Sequence, residues 1–183
     1  MKRISTTQAM RNMQEAGSFG VLETEDDLIV YSSDCYNYKT CVLTGLSDIC
    51  YFEAALLNSE GEVRIGFAEE NVDLLGPLGT DCHGFALGSK NGYGFSKSKR
   101  INFGGRYRKH DIVSCEIIRK DSNKFVKFYI NGVHSFKDFE VPNNIVLYPA
   151  FSLYGFSNIS LNFGPYYAYK DLIERRANAE NNN

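Results

Sequence analysis

The chain has 183 residues, enough for one domain with a substantial core. Its 20 Lys+Arg against 22 Asp+Glu give a net charge of −2, which excludes binding nucleic acid by bulk charge. With 43% hydrophobic and 23% charged residues it is no disordered chain, and no run approaches the ~18 apolar residues of a membrane helix.

Met1-Lys2-Arg3 is followed by polar Ser5-Thr6-Thr7-Gln8, where a signal peptide would need an apolar stretch. The lack of an acid before Glu15 leaves a short mitochondrial presequence open. Residues 6–15 are predicted to form a short helix, and Glu23, Glu25, Asp26 and Asp27 a solvated acidic loop. Strand alternation then begins. Phe52, Ala54 and Leu56 face away from Glu53, and Val63, Ile65 and Phe67 face away from Arg64. Glu69, Glu70 and Asp73 form a second acidic loop. Gly88-Ser89-Lys90-Asn91-Gly92-Tyr93-Gly94 lacks the following helix of a phosphate cradle and reads as a loop between strands, with Asn91-Gly92 a weak hairpin signal. Val126, Phe128 and Ile130 alternate with Lys127 and Tyr129, and Asn131-Gly132 then marks a two-residue hairpin into Val133-His134-Ser135-Phe136. Ile159, Leu161 and Phe163 alternate with Ser160 and Asn162, and Lys170 to Ala179 is predicted to be helical before the polar Asn181-Asn182-Asn183 tail. Short strands with turns about every 8–12 residues predict an all-β, antiparallel, jelly-roll-like sandwich with short helices at its termini. Its predicted core is Phe52, Ile65, Phe67, Phe128, Ile130, Phe151, Leu161 and Phe163.

Catalytic patterns are missing. Neither G-x-S-x-G nor G-x-x-x-x-G-K-[ST] occurs, and the acids collect in loops rather than facing one another across strands. Cys35, Cys41, Cys50, Cys82 and Cys115 are odd in number and scattered without a C-x-x-C pair, which with only three His argues against a disulfide framework or structural zinc and for a reduced intracellular protein. Cys82-His83, if on a strand, point to opposite faces, which predicts a buried Cys and a rim His. The sequon Asn158-Ile159-Ser160 falls in a predicted core strand and is discounted. Lys97, Lys99, Arg100, Arg106, Arg108 and Lys109 form a run without an acid: a solvated face, or a contact for an acidic partner or phosphate.

Taken in order, Tyr51-Phe52-Glu53, Arg64-Ile65-Gly66-Phe67, Gly79-Thr80-Asp81, Gly105-Arg106-Tyr107, Phe128-Tyr129-Ile130-Asn131-Gly132 and Tyr148-Pro149-Ala150-Phe151-Ser152-Leu153-Tyr154 resemble a SPRY domain, a peptide-binding sandwich. The usual Trp positions carry Cys50 and Phe67 instead. Gly76-Pro77-Leu78-Gly79-Thr80-Asp81 and Ser160-Leu161-Asn162-Phe163-Gly164-Pro165, with Glu25-Asp26-Asp27-Leu28-Ile29-Val30, are most similar to the Ash-Two (Bre-Two) family of subunits of COMPASS/MLL histone methyltransferase complexes.

That resemblance implies residues 1–19 as an N-terminal extension, 20–166 as the SPRY domain and 167–183 as a short helix and tail. It implies a nuclear, non-catalytic adaptor without a cofactor, docking an acidic peptide of a WD-repeat propeller scaffold and helping to activate a SET-domain histone lysine methyltransferase. The implied peptide-binding positions are Arg64, Pro77, Thr80, Gly88 and Lys90, of which Thr80 and Gly88 replace a tyrosine and an arginine of the family. Arg64 is expected to face outward, so that its removal weakens binding and leaves stability alone. The family's small dimeric helical partner is doubtful, because only Leu172 and Ile173 are apolar after Lys170. Nucleosomal DNA is at most a weak partner, and no membrane is expected. The alternatives are a SPRY adaptor of another complex, such as a ubiquitin ligase, and a sandwich hydrolase or lectin, which the carboxylate placement and the absence of Trp disfavour.

Overall fold

The computed structural model describes residues 19–23, 28–32 and 36–181. The expected helix over 6–15, the Glu25–Asp27 loop and Cys35 lie outside them. Two antiparallel sheets face each other. The first contains β1 (Phe19–Glu23), β2 (Leu28–Ser32), β14 (Ser157–Asn162), β4 (Tyr51–Ser59), β9 (Ile112–Lys120), β10 (Asn123–Ile130) and β11 (Val133–His134) in that spatial order, and β12 (Phe139–Pro142) also pairs with β10. The second has the order β3 (Lys39–Val42), β13 (Tyr148–Leu153), β5 (Val63–Ala68), β6 (Gly84–Gly88), β7 (Tyr93–Ser96) and β8 (Lys99–Asn102). The β10–β11 turn is the expected one, with Asn131 and Gly132 at φ +49° and +74°.

The apolar phases meet between the sheets. Phe52, Ile65, Phe67, Phe128, Phe151 and Leu161 are buried there as expected, with ring pairs such as Phe52–Phe67 at 5.3 Å. Ile130 and Phe163, at strand ends, are only partly buried. Tyr107 crosses this layer. Its hydroxyl lies 2.7 Å from the Val63 carbonyl oxygen and 3.0 Å from that of Leu87, which ties the β8–β9 loop to β5 and β6.

Both outer faces are covered in part as well. Over the six-stranded sheet the segment 69–81 folds down, and Leu78 and Val72 pack with Val42, Ala68, Ala86 and Ala150. Over the other sheet the chain after β14 lies across β4 and β10, where Ile173 of α1 (Lys170–Asn181) packs with Tyr51 and Tyr129. Glu53 fixes that segment. Its carboxylate is 2% exposed and accepts from the Tyr51 hydroxyl at 2.7 Å and from the backbone N–H groups of Ala168 (2.7 Å) and Tyr169 (2.8 Å). A buried carboxylate is tolerable only with such donors. Leu172 lies against Gly132, so both apolar residues of the helix start are spent on the sheet.

Phe128→Ala is expected to cost ~3–5 kcal/mol and lower the melting temperature on the order of 10 °C; an unchanged thermal transition would refute the inward phase of β10. Glu53→Ala leaves two backbone donors without their acceptor. Hydrogen exchange at the Ala168 and Tyr169 amides should accelerate much more than at the Phe128 amide.

Candidate functional site

Arg64 lies on β5 opposite Gly88 of β6, with its side chain on the outer face of the six-stranded sheet. The direction agrees with the alternation, but the expected exposure does not: Arg64 is 7% exposed. The reason is the loop above it. Leu78 N–H donates to Ser152 Oγ at 3.1 Å, and Thr40 Oγ1 donates to the Gly76 carbonyl at 2.6 Å, which pin 76–78 across β3 and β13. Arg64 Nη1 then donates to the Leu78 carbonyl at 3.1 Å, and Phe95 of β7 lies over the guanidinium, 3.6 Å from its ring centroid. Arg64 is a clamp on its own fold as well as a candidate contact.

A charge taken out of water needs a counter-charge. Glu62 provides it, with Oε1 3.6 Å from Arg64 Nε, while Tyr38 donates its hydroxyl to Glu62 Oε2. Burial first, and then the bond to Glu62, pushes the Tyr38 phenol well up, so it remains a donor. Arg64 Nε itself makes no hydrogen bond. Glu62, Tyr38 and Phe95 went unnoticed in the sequence, although Glu62 shares a face with Arg64 by its spacing of two.

Aromatic rings extend the site in both directions. Tyr154 packs on Tyr38 at 4.9 Å, Tyr38 lies 5.5 Å from the Arg64 guanidinium, Phe95 meets Tyr93 at 6.5 Å, and Arg100 stands 5.5 Å from the Tyr93 ring. The row runs from the end of β13 to β8, with a cation against a ring at three of its steps. Gly88 makes room for it: a Cβ there would lie 2.7 Å from Phe95 Cε2 and 2.9 Å from Glu62 Oε1.

The other expected residues separate into groups. Pro77 is half-buried, and its carbonyl accepts from the exposed Thr80 N–H and hydroxyl at 3.1 and 2.6 Å. The Thr80 carbonyl in turn accepts from Ser98 Oγ, so Thr80 and exposed Lys97 share one end of the β7–β8 hairpin. Lys99 and Arg100 are exposed on β8. Lys90 and Arg106 are exposed near the opposite end, where Gly92 packs on Gly105. Arg108 and Lys109 are not part of this face. They occupy the turn whose His110 N–H donates to the Leu56 carbonyl at 2.7 Å, against β4 of the other sheet.

Nothing in this arrangement supplies a nucleophile and base. Cys82 is exposed on a bend rather than buried on a strand, because no strand forms there, and His83 Nδ1 stands 3.0 Å from Glu69 Oε1. The buried thiols are poor nucleophiles: burial pushes Cys41 up to about 12 and Cys115 well above its usual value. Among the described residues, no three His, Cys, Asp or Glu could hold a metal ion, and no helix is long and apolar enough to cross a membrane.

Comparison with known proteins bears on the fold. The SPRY domain family model matches residues 49–166. A crystal structure of a human SPRY domain is 18% identical, covers 82% of this chain and all of its own, and superposes with a TM-score of 0.61. The SPRY domain of human HERC1 is 11% identical with a TM-score of 0.53, covering 82% of this chain and 91% of its own. No curated protein sequence matches the chain.

Arg64→Ala is expected to lower stability by ~1.5–3 kcal/mol, since it leaves the buried Leu78 carbonyl without its donor and Glu62 without its counter-charge. Arg64→Lys should fail to restore it, because an ammonium cannot stack on Phe95 while reaching Leu78. Thermal unfolding of both variants checks this. Wild-type stability in Arg64→Ala would show the guanidinium to be merely solvated.

Proposed function

The chain belongs to the SPRY domain family, and from that premise we propose that it is a non-catalytic adaptor that docks an acidic segment of a partner on the outer face of its six-stranded sheet. The finer reading is an Ash-Two-like subunit of a nuclear SET-domain histone lysine methyltransferase complex, with a WD-repeat scaffold as the source of that segment. The sequence resemblance supports it, above all the Asn162-Phe163-Gly164-Pro165 ending and the Gly76–Asp81 loop. One structural observation carries the choice of an acidic ligand: Lys90, Lys97, Arg100 and Arg106 are exposed around the open part of this face, and none forms a salt bridge among the described residues.

Glu62 gives the mechanism its particular form. An incoming carboxylate that reaches Arg64 Nε must take the place of the chain's own Glu62, so the exchange at Arg64 gains little net energy. Affinity then rests on the exposed cations, whose attraction is long-ranged and screened by salt. The Thr80 and Gly88 replacements agree with this division, because the inner pocket carries fewer donors than its family and the rim supplies the charge.

Affinity purification of the tagged chain checks the assembly. WD-repeat and SET-domain subunits should co-purify, whereas ubiquitin ligase subunits in their place would transfer the adaptor to the other system. Calorimetric titration with the scaffold's acidic segment should show affinity falling as salt rises, and several-fold tighter binding to Glu62→Gln, which removes a competing charge. Salt-independent affinity would contradict the rim's role. The purified chain should hydrolyse no ester or glycan; turnover abolished by a single carboxylate or Ser substitution would overturn the non-catalytic reading.

A further inference from the structure

We propose that β8 is a docking edge, to which an extended acidic segment of a partner protein adds as a seventh strand of this sheet, setting one apolar side chain on the exposed ring of Phe136. The inference rests on the reading of the partner as an acidic segment, and locates part of that segment at the strand edge rather than over Arg64.

The edge is open. Among the described residues β8 is the last strand of its sheet and pairs only with β7. The two-residue turn Lys97-Ser98, at φ +52° and +57°, makes Ser96 and Lys99 the closing hydrogen-bonded pair. The Phe103 N–H donating to the Gly92 carbonyl at 3.0 Å continues the same phase. Arg100 and Asn102 therefore turn their backbone N–H and C=O groups away from β7, and no loop of the described residues reaches them. A free row of this kind is a template for another strand.

Charge determines which strand it accepts. Lys97, Lys99 and Arg100 line the edge, Arg106 lies beyond its end, and no acid occurs between Lys97 and Lys109. Cations on an edge turn away neutral strands and a second copy of the same edge. They complement an acidic one. Beyond Asn102 the Phe136 N–H donates to the Phe103 carbonyl at 3.1 Å, and its ring lies on Gly104, at φ +87°, where a Cβ would come within 1.9 Å of Phe136 Cδ2. The ring is thus held in place at the strand's end while remaining 83% exposed. Aromatic and basic groups together also suit single-stranded nucleic acid. The free amide row favours a polypeptide, because strand pairing needs alternating donors and acceptors that a nucleic acid backbone lacks.

The test titrates the full chain with a synthetic peptide of about eight residues, a common strand length, alternating Glu or Asp with Val and carrying one Phe. Two further peptides are N-methylated at every second residue, one in each phase. Strand addition predicts that one phase binds like the parent and the other about tenfold more weakly, the loss of roughly one to two hydrogen bonds. It also predicts that the parent slows hydrogen exchange at the Arg100 and Asn102 amides. Phe136→Ser should weaken binding several-fold without lowering the melting temperature, since the ring is exposed. Equal affinity of the two phases, or protection confined to Arg64 and Gly88, would overturn the edge and leave the acidic adaptor standing. Tighter binding of an oligothymidylate, lost in Phe136→Ser, would assign the edge to nucleic acid. No binding of the parent peptide would overturn the edge, and the scaffold's own segment, titrated separately, would then decide the broader reading.

Discussion

A guanidinium removed from water has to be satisfied from within, and the outer face of the six-stranded sheet is organised around that requirement. Arg64 joins three things: the carbonyl of Leu78 in the covering loop, the carboxylate of Glu62 just before its own strand, and the ring of Phe95 on β7. Without it the loop would lose a donor directed at its own backbone, and Glu62 would be a carboxylate in a half-buried position with only Tyr38 against it. The hydrophobic patch of Leu78, Val72 and Ala86 closes the loop down, while Arg64 fixes its register.

The opposite sheet solves the mirror problem with the opposite charge. Glu53 is buried on the outer face of β4, and it is the backbone of Ala168 and Tyr169 that satisfies it. Among the described residues, each sheet therefore carries one buried charge on the side turned away from the core, and each charge holds down a segment that would otherwise leave the face wet. This layering separates tasks. The central core fixes the sandwich, the two outer clamps fix what covers it, and the strip over β7 and β8 is left uncovered.

Much of the sandwich is legible in the residues. The phases of Val63, Ile65 and Phe67, the Asn131-Gly132 turn and the terminal helix from Lys170 all follow from short-range rules. A period of two says which face a side chain takes but not whether that face is later covered. Alternation puts Arg64, Glu53 and Tyr129 on the faces away from the core, and segments remote in sequence then bury them. The β7–β8 hairpin was equally silent, because its left-handed positions are filled by Lys97 and Ser98, without the Gly or Asn that usually marks such a turn. The same limit holds at Cys82: alternation assigns faces only on a strand, and none forms there. The candidate site was legible only in part, as a basic run and an arginine, since its aromatic row comes from five separate elements and loops.

The central claim is that an acidic segment meets this chain on the outer face of its six-stranded sheet, and amide shift mapping tests it most directly. The isotope-labelled chain would be titrated with the acidic segment of the WD-repeat scaffold. Shifts gathered on Gly88, Lys90, Phe95, Arg100 and Arg106, with little change at Glu69, Asn71 and Tyr148, are the expected result. Shifts gathered instead on the eight-stranded sheet around Tyr129 and Ile173, or none at a saturating concentration, would contradict the account.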